Sequence, residues 1–288
     1  MTATSDLQYT VALAVIVALL AVAYGLRLAI KGRVHFDRID RQGGSRLLSK
    51  GAMELGYWAL QPVARLMVLL GITPNEVSCA SLGFGFLSAA SLTAGRFGLG
   101  AVFATIAGLL DALDGMVARI SGLASDTGQI LDAAVDRYVE FFFLSGLVLY
   151  YRERPVLQVL TLLALLGSFM VSYSTAKAEA FEVNPPRGSM RRPERAIYLT
   201  LGAALSAVTI PWLETHGEFS NPVGYPMVMA LGLVAVVANV SAIDRFWSIA
   251  KTIRLREKHL TETCTGVSEN ALIEEPGDPQ VSHQGRKI

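Results

Sequence analysis

Residues 111–136, DALDGMVARISGLASDTGQILDAAVD, set two pairs of aspartates into otherwise apolar sequence. Asp111 and Asp114 stand three apart at the end of one hydrophobic run, and Asp132 and Asp136 stand four apart at the start of the next. Those spacings place each pair on one face of a helix. A carboxylate at bilayer depth costs about 2.5–3.5 kcal/mol on insertion scales, so such a cluster needs a compensating partner. A hard divalent cation is a natural one, because magnesium-type ions take oxygen ligands. The linker Ile120 to Thr127 is short enough to fold the two helices antiparallel, with Ser125 or Asp126 capping the second. Two cations about 3.5–4 Å apart could then be held between the pairs. The competing reading is two acidic helix ends in water, with Gly115 and Gly128 as helix-packing glycines.

The surrounding chain decides where this stretch sits. Of 288 residues, 52% are hydrophobic and only 17% charged, a balance few soluble domains reach. The apolar residues come in runs of about 18–23, the length needed to cross a ~30 Å hydrocarbon layer. They cover roughly 9–30, 77–94, 98–119, 129–151, 156–177, 196–213 and 225–243, and the aspartates interrupt the third and fourth. The expected fold is all-α: a polytopic membrane helical bundle. It has six core transmembrane helices, an extra N-terminal transmembrane helix and an interfacial amphipathic helix. The two cysteines, Cys79 and Cys264, offer no disulfide framework. A net charge of +1 gives no global attraction for polyanions, and no nucleic-acid partner is expected. The first run ends in Arg27 and Lys31 with no small-residue cleavage site before them, as in a retained helix.

Lysine and arginine placement sets the orientation. The segment 31–75, the loop 178–195 and the segment after the last run are rich in both, whereas the opposite loops carry only Arg96, Arg152 and Arg154. The basic side is therefore expected to be cytoplasmic, with the N-terminus outside, the C-terminus inside and the aspartates at the cytoplasmic end of their helices. Residues 1–49 form an extra helix and polar linker, 50–257 the main domain, and 258–288 a polar tail expected to be disordered. The extra helix is expected to be dispensable for chemistry. Residues 50–70 mix Lys50, Glu54 and Arg65 with Tyr57, Trp58 and aliphatic residues, which suits a helix lying in the membrane interface. Gly71-Ile72-Thr73-Pro74-Asn75 ends it, with Pro74 opening the next helix.

Written as a pattern, the central stretch is Asp111-x2-Asp114-Gly115-x2-Ala118-Arg119-x8-Gly128-x3-Asp132-x3-Asp136. It resembles, at every fixed position, the motif of the CDP-alcohol phosphatidyltransferases, and the GITPN turn before a span occurs in that family too. The resemblance implies an integral membrane enzyme of phospholipid biosynthesis in a bacterial or archaeal cell membrane. It implies transfer of a phosphatidyl group from CDP-diacylglycerol to an alcohol acceptor, with release of CMP. It also implies Mg²⁺ or Mn²⁺, two ions, and a homodimer among membrane lipids. Asp111, Asp114, Asp132 and Asp136 are the implied metal ligands. Asp114, Gly115, Ala118, Arg119 and Gly128 are the implied nucleotide contacts. Gly115 and Ala118 leave a groove where a nucleotide can approach the backbone, and Arg119 is placed to fork onto a phosphate. A general base must lie beside the attacking hydroxyl. His35, His216, His259 and His283 all fall outside the aspartate spans, so a carboxylate is expected. The family points to Asp136.

Two further elements bear on the acceptor. Ser172-Tyr173-Ser174-Thr175-Ala176-Lys177-Ala178-Glu179 and Arg192-Pro193-Glu194-Arg195 resemble the SYxKARAE and ER-x-ER elements of the phosphatidylinositol-phosphate and archaetidylinositol-phosphate synthase branch. Thr175 replaces the branch's lysine and Lys177 its arginine. By resemblance, Lys177, Arg192 and Arg195 would hold the phosphate of a phosphorylated polyol. Inositol phosphate leads, followed by glycerol 3-phosphate and then a neutral alcohol. A reading from another class is an ion-coupled transporter with intramembrane acids. It calls for carboxylates near mid-membrane and repeated halves, and the sequence offers neither.

Overall fold

The computed structural model describes residues 3–31, 50–184, 190–213 and 222–271. Among these every regular element is a helix: α1 (Ala3–Lys31), α2 (Lys50–Leu69), α3 (Pro74–Thr93), α4 (Phe97–Ser121), α5 (Asp126–Tyr150), α6 (Pro155–Ala180), α7 (Arg192–Leu213) and α8 (Tyr225–Ala271). The polar linker from 32 and the end of the tail from 272 lie outside the described residues. Five helices, α1, α4, α6, α7 and α8, are each long and apolar enough to cross a bilayer. α3 meets that test only together with α2, from which the chain bends by 120°. α5 carries the second aspartate pair, Arg137 and Glu140 along its length. The expected helical membrane bundle is thus the observed architecture. One boundary differs: α8 runs to Ala271, past residue 258 where polarity alone starts a tail. No proline or glycine interrupts 258–264, so a helix leaving the membrane can continue there.

Local signals fix the elements that carry the site. Thr73 caps α3: its Oγ1 accepts from the Glu76 amide at 3.4 Å, while Glu76 Oε2 accepts from the Thr73 amide at 2.7 Å. Pro74 occupies the first turn, where its missing N–H costs nothing. α4 stops at Gly122, whose φ of 69° is left-handed and favours glycine. Ser125 then caps α5, accepting from the Gly128 amide at 3.1 Å. The turn Gly122–Ser125 therefore reverses the chain between the two aspartate pairs.

α3 acts as a spacer: both α4 and α5 pack on it, while they make little direct contact with each other. Ser81 and Ser88 of α3 donate to the Ala107 and Gly100 carbonyls of α4 at 3.0 and 2.8 Å, contacts suited to a medium without water. Gly146 lets α5 approach α3 so closely that a Cβ would lie 2.6 Å from the Ala89 carbonyl oxygen. The main core joins Leu92, Phe97, Leu144, Leu147, Met227 and Leu231. A second cluster docks α2 through Ala64 onto Val77, Leu113, Met116 and Val117.

α1 is tied to the helix that carries the first aspartates. Asp6 accepts from the backbone amides of Gly98 and Leu99 at 2.8 and 2.9 Å, capping the first turn of α4. A Cβ on Gly98 would collide with the Asp6 carbonyl, so the contact depends on that glycine. Removing a carboxylate cap typically costs about 0.5–2 kcal/mol. Asp6→Ala is accordingly expected to lower the thermal unfolding midpoint of the detergent-solubilised protein, and Asp6→Asn to do so less. An unchanged midpoint for Asp6→Ala would show that the cap contributes nothing.

Candidate active site

The reversal at Gly122 brings the aspartates of α4 and α5 together on opposite walls of a cleft. Carboxylate oxygens of Asp111, Asp114 and Asp132 all lie within 4.8 Å of one another. Trans ligands of a magnesium-sized ion at 2.0–2.1 Å lie about 4.2 Å apart, so this trio fits one hard cation after a small closing movement. Asp114 is buried, and Ser78 of α3 donates to its Oδ2 at 2.6 Å, fixing the carboxylate's direction. The spacer helix thus also orients the site.

The fourth aspartate has a different surrounding. Asp136 is buried and forms an ion pair with Arg192 at the start of α7. The same guanidinium reaches Asp111 Oδ1 and Oδ2 at 3.3 Å each. One planar fork therefore bridges the first aspartate of α4 and the last of α5. Three residues on, Arg195 is fully buried and donates from Nε and Nη2 to Glu140 at 2.8 and 3.1 Å. Its Nη1 is buried with no hydrogen-bond partner.

The structure also separates residues that the sequence groups. Lys177 is exposed and lies 5.5 Å from the Tyr173 ring centroid, a cation–π contact on the outside of α6. No described contact joins it to Arg192 or Arg195. Arg195 likewise offers an acceptor no exposed surface, since burial and Glu140 take most of its fork. Arg192 faces the aspartates directly. Gly115 and Arg119 stay close, with Arg119 Nη1 standing 3.3 Å from where a Gly115 Cβ would lie, so the guanidinium folds over the glycine. Ala118 is on the same last turns of α4, and Gly128 is held at the α5 start by its Ser125 cap.

Three contributors escaped the sequence reading. Ser78 gave no signal beyond being a small polar residue in a span. Glu140 stands four residues after Asp136, a legible spacing hidden among the aromatic residues of YVEFFF. Arg245 of α8 looks like an ordinary cytoplasmic-end charge, yet it is buried, donates from Nη1 to Thr175 Oγ1 at 2.8 Å, and leaves its Nε without a partner. It stands within electrostatic reach of Arg195 and Arg191.

A sequence profile of the CDP-alcohol phosphatidyltransferases matches residues 71–248, from the turn before α3 into α8. The chain belongs to the CDP-alcohol phosphatidyltransferase family. The phosphatidylinositol phosphate synthase of Mycolicibacterium smegmatis is 31% identical over 193 residues, covering 66% of this chain and 82% of that protein. The archaetidylinositol phosphate synthase of Pyrococcus horikoshii is 32% identical over 152 residues, or 52% and 79%. Two solved structures of the phosphatidylinositol phosphate synthase of Mycobacterium tuberculosis share the fold. One, in complex with manganese and citrate, has TM-score 0.58 and 28% identity over 65% of this chain and 87% of that one. The other, with CDP-DAG bound, has TM-score 0.57 and 26% identity over 65% and 92%. This phosphatidyltransferase is thus an enzyme whose aspartate cluster can hold a metal, as the manganese complex of its relative suggests.

If Ser78 orients a ligand carboxylate, Ser78→Ala should weaken Mn²⁺ binding by about tenfold to a hundredfold, the usual loss for an outer-shell partner. Asp132→Asn should weaken it further. Free Mn²⁺ measured by electron paramagnetic resonance reads both, and wild-type affinity in Ser78→Ala would remove the serine from the site.

Proposed function

We propose that this phosphatidyltransferase moves the phosphatidyl group of CDP-diacylglycerol to a hydroxyl of a phosphorylated polyol, inositol phosphate foremost, releasing CMP at the cytoplasmic face. The donor is carried over from the relative solved with CDP-DAG and the acceptor from the names of the curated relatives. The single observation that carries the acceptor reading is the buried Arg245 Nε, a guanidinium N–H that lacks a hydrogen-bond partner. Buried unpaired cationic donors cost several kcal/mol, and an anionic group entering beside them would relieve that cost. Arg245 is the residue best placed to contact such a phosphate. Thr175 is its positioning neighbour, accepting from Arg245 Nη1 at 2.8 Å. A neutral alcohol would leave that donor unpaired.

The residues divide the work. Asp111, Asp114 and Asp132 would hold a divalent cation, with Asp136 and Asp111 offering oxygens to a second. Bound there, such ions would supply charge neutralisation of the diphosphate and of the leaving CMP phosphate. Asp114, Gly115, Ala118, Arg119 and Gly128 would border the nucleotide, the glycine leaving room and the arginine forking onto phosphate. The acceptor oxygen forms a new bond to the β-phosphorus, the bond from that phosphorus to the CMP oxygen breaks, and the hydroxyl proton passes to the Asp136 carboxylate. Asp136 can accept that proton only once Arg192 loosens its hold. An incoming phosphate is a competing partner for that guanidinium. Arg192 thus keeps the base paired until substrate arrives. The cytoplasmic placement rests on the basic loops, which flank the same helix ends as the aspartates.

Purified protein supplied with CDP-diacylglycerol and a panel of labelled acceptors tests this directly. CMP release should require inositol phosphate or another phosphorylated polyol, stop on chelation, and return with Mg²⁺ or Mn²⁺. Full turnover after exhaustive chelation would defeat the metal reading. Asp136→Asn should abolish turnover while retaining donor binding.

A second measurement isolates the acceptor pocket. A charge-assisted contact contributes about 1.5–3 kcal/mol, so Arg245→Gln should raise the KM for the phosphorylated acceptor about tenfold to a hundredfold at ~1.4 kcal/mol per decade. The KM for the donor should barely move. Equal use of inositol and inositol phosphate, unaffected by this substitution, would point to a neutral acceptor.

A further inference from the structure

α1 and α2 both precede residue 71, outside the span that defines the family. Between them lies a crevice of about 570 Å³, lined by Leu20 and Arg27 of α1 and by Trp58, Arg65, Leu66 and Leu69 of α2 among others. Its α2 residues recur at three- and four-residue steps and so share one face, while Leu20 and Arg27 lie two turns apart on α1. We propose that this crevice binds a net-anionic glycerophospholipid of the cytoplasmic leaflet, its phosphodiester between Arg27 and Arg65 and its acyl chains along Leu20, Leu66 and Leu69.

Depth comes first. Asp6 is pinned to the start of α4, and Arg27 lies about 32 Å further along α1 at 1.5 Å per residue. That distance matches the ~30 Å hydrocarbon thickness, so Arg27 emerges among the headgroups of the opposite leaflet. α2, bent by 120° from the following span, brings Trp58 and Arg65 to that level. Tryptophan and tyrosine favour the same layer.

Charge comes second. Arg27 is half-buried and lies 5.6 Å from the Trp58 ring centroid, and its Nη1 is buried without a hydrogen-bond partner. The nearby acid does not answer it, because Glu54 accepts from the Tyr24 hydroxyl at 3.0 Å. Among the described residues neither Arg27 nor Arg65 has a carboxylate within ion-pair distance. Two uncompensated guanidinium groups beside one crevice call for an anion, and a planar fork suits phosphate. A zwitterionic lipid brings its own ammonium, which these cations would repel.

Shape comes third. The crevice is polar at the arginines and apolar towards Leu66 and Leu69, which are 55% and 83% exposed. Its size lies within the ~300–1,000 Å³ of small-molecule sites. A soluble phosphate would fill only the arginine end and leave the leucine face uncovered, whereas a phospholipid covers both.

Trp58 reports on the site. In a Trp212→Phe, Trp247→Phe background it is the sole tryptophan, and the full chain can be reconstituted in dioleoylphosphatidylcholine vesicles. Increasing fractions of chain-brominated phosphatidylglycerol or chain-brominated phosphatidylcholine then titrate the quenching of Trp58. Half-quenching by the anionic lipid is expected at about a fivefold to tenfold lower mole fraction. Arg27→Gln with Arg65→Gln should bring the two curves together, and millimolar inorganic phosphate should leave them unchanged. Coincident curves with the arginines intact would overturn the proposal, even if the double variant failed to fold. So would a preference that survives the double substitution, or one that inorganic phosphate abolishes.

Discussion

Carboxylates in a helical membrane bundle must be matched by cations or hydrogen-bond donors, because an unpaired charge in a low-dielectric interior costs several kcal/mol. Here that constraint organises the whole aspartate-bearing end of the bundle. Asp111, Asp114 and Asp132 face one another closely enough to share an ion, Asp114 takes the Ser78 hydroxyl, and Asp136 takes Arg192. Each partner comes from a different helix, so compensating the acids also fixes how α3, α4, α5 and α7 are arranged. The serine-lined packing of α3 makes this workable. By holding α4 and α5 apart along its own length, it leaves a cleft where direct packing would have filled the space.

The link between α5 and α7 is itself a small ladder. Asp136 and Glu140 lie four apart on α5, and Arg192 and Arg195 lie three apart on α7, so two ion pairs form consecutive rungs. The rungs differ in kind. Arg195–Glu140 is buried and doubly bonded, and removing either partner would strand a charge in the core, with losses of about 3–5 kcal/mol. Arg192 keeps roughly a third of its side chain exposed and divides itself between two carboxylates. The inner rung therefore anchors α7, while the outer one can exchange its partner. This is the physical basis for assigning structure to Arg195 and movement to Arg192.

The aspartate motif was legible because helical periodicity converts spacings of three and four into shared faces, and the short turn leaves one way to bring the faces together. Apolar run lengths likewise announced the bundle. The arginines were less legible. A basic residue near a cytoplasmic helix end satisfies the positive-inside tendency whichever way it points, so Lys177, Arg192, Arg195 and Arg245 read alike in sequence. Only the rotational position on each helix separates Lys177, lying on Tyr173, from Arg245, turned inward to Thr175. Asp6 shows the same limit. As a sequence feature it is a polar residue before an apolar run. Its role as the cap of a helix starting at Phe97 depends on a long-range approach that local pattern does not encode.

The exchange at residues 175 and 177 gains meaning from that geometry. Where the related branch has a lysine, Thr175 presents a short hydroxyl that can only accept or donate a hydrogen bond, and Arg245 from α8 donates to it. The positive charge near this part of the cleft thus comes from α8, on a longer and forked side chain, and α6 contributes the hydroxyl that aims it. Arg245 spends one N–H on Thr175 and keeps Nε unpaired in the buried interior. A threonine in place of a lysine therefore need not remove phosphate recognition from the bundle. The proposed pocket would take its charge from another helix, close to the Arg195–Glu140 rung that holds α7 in place.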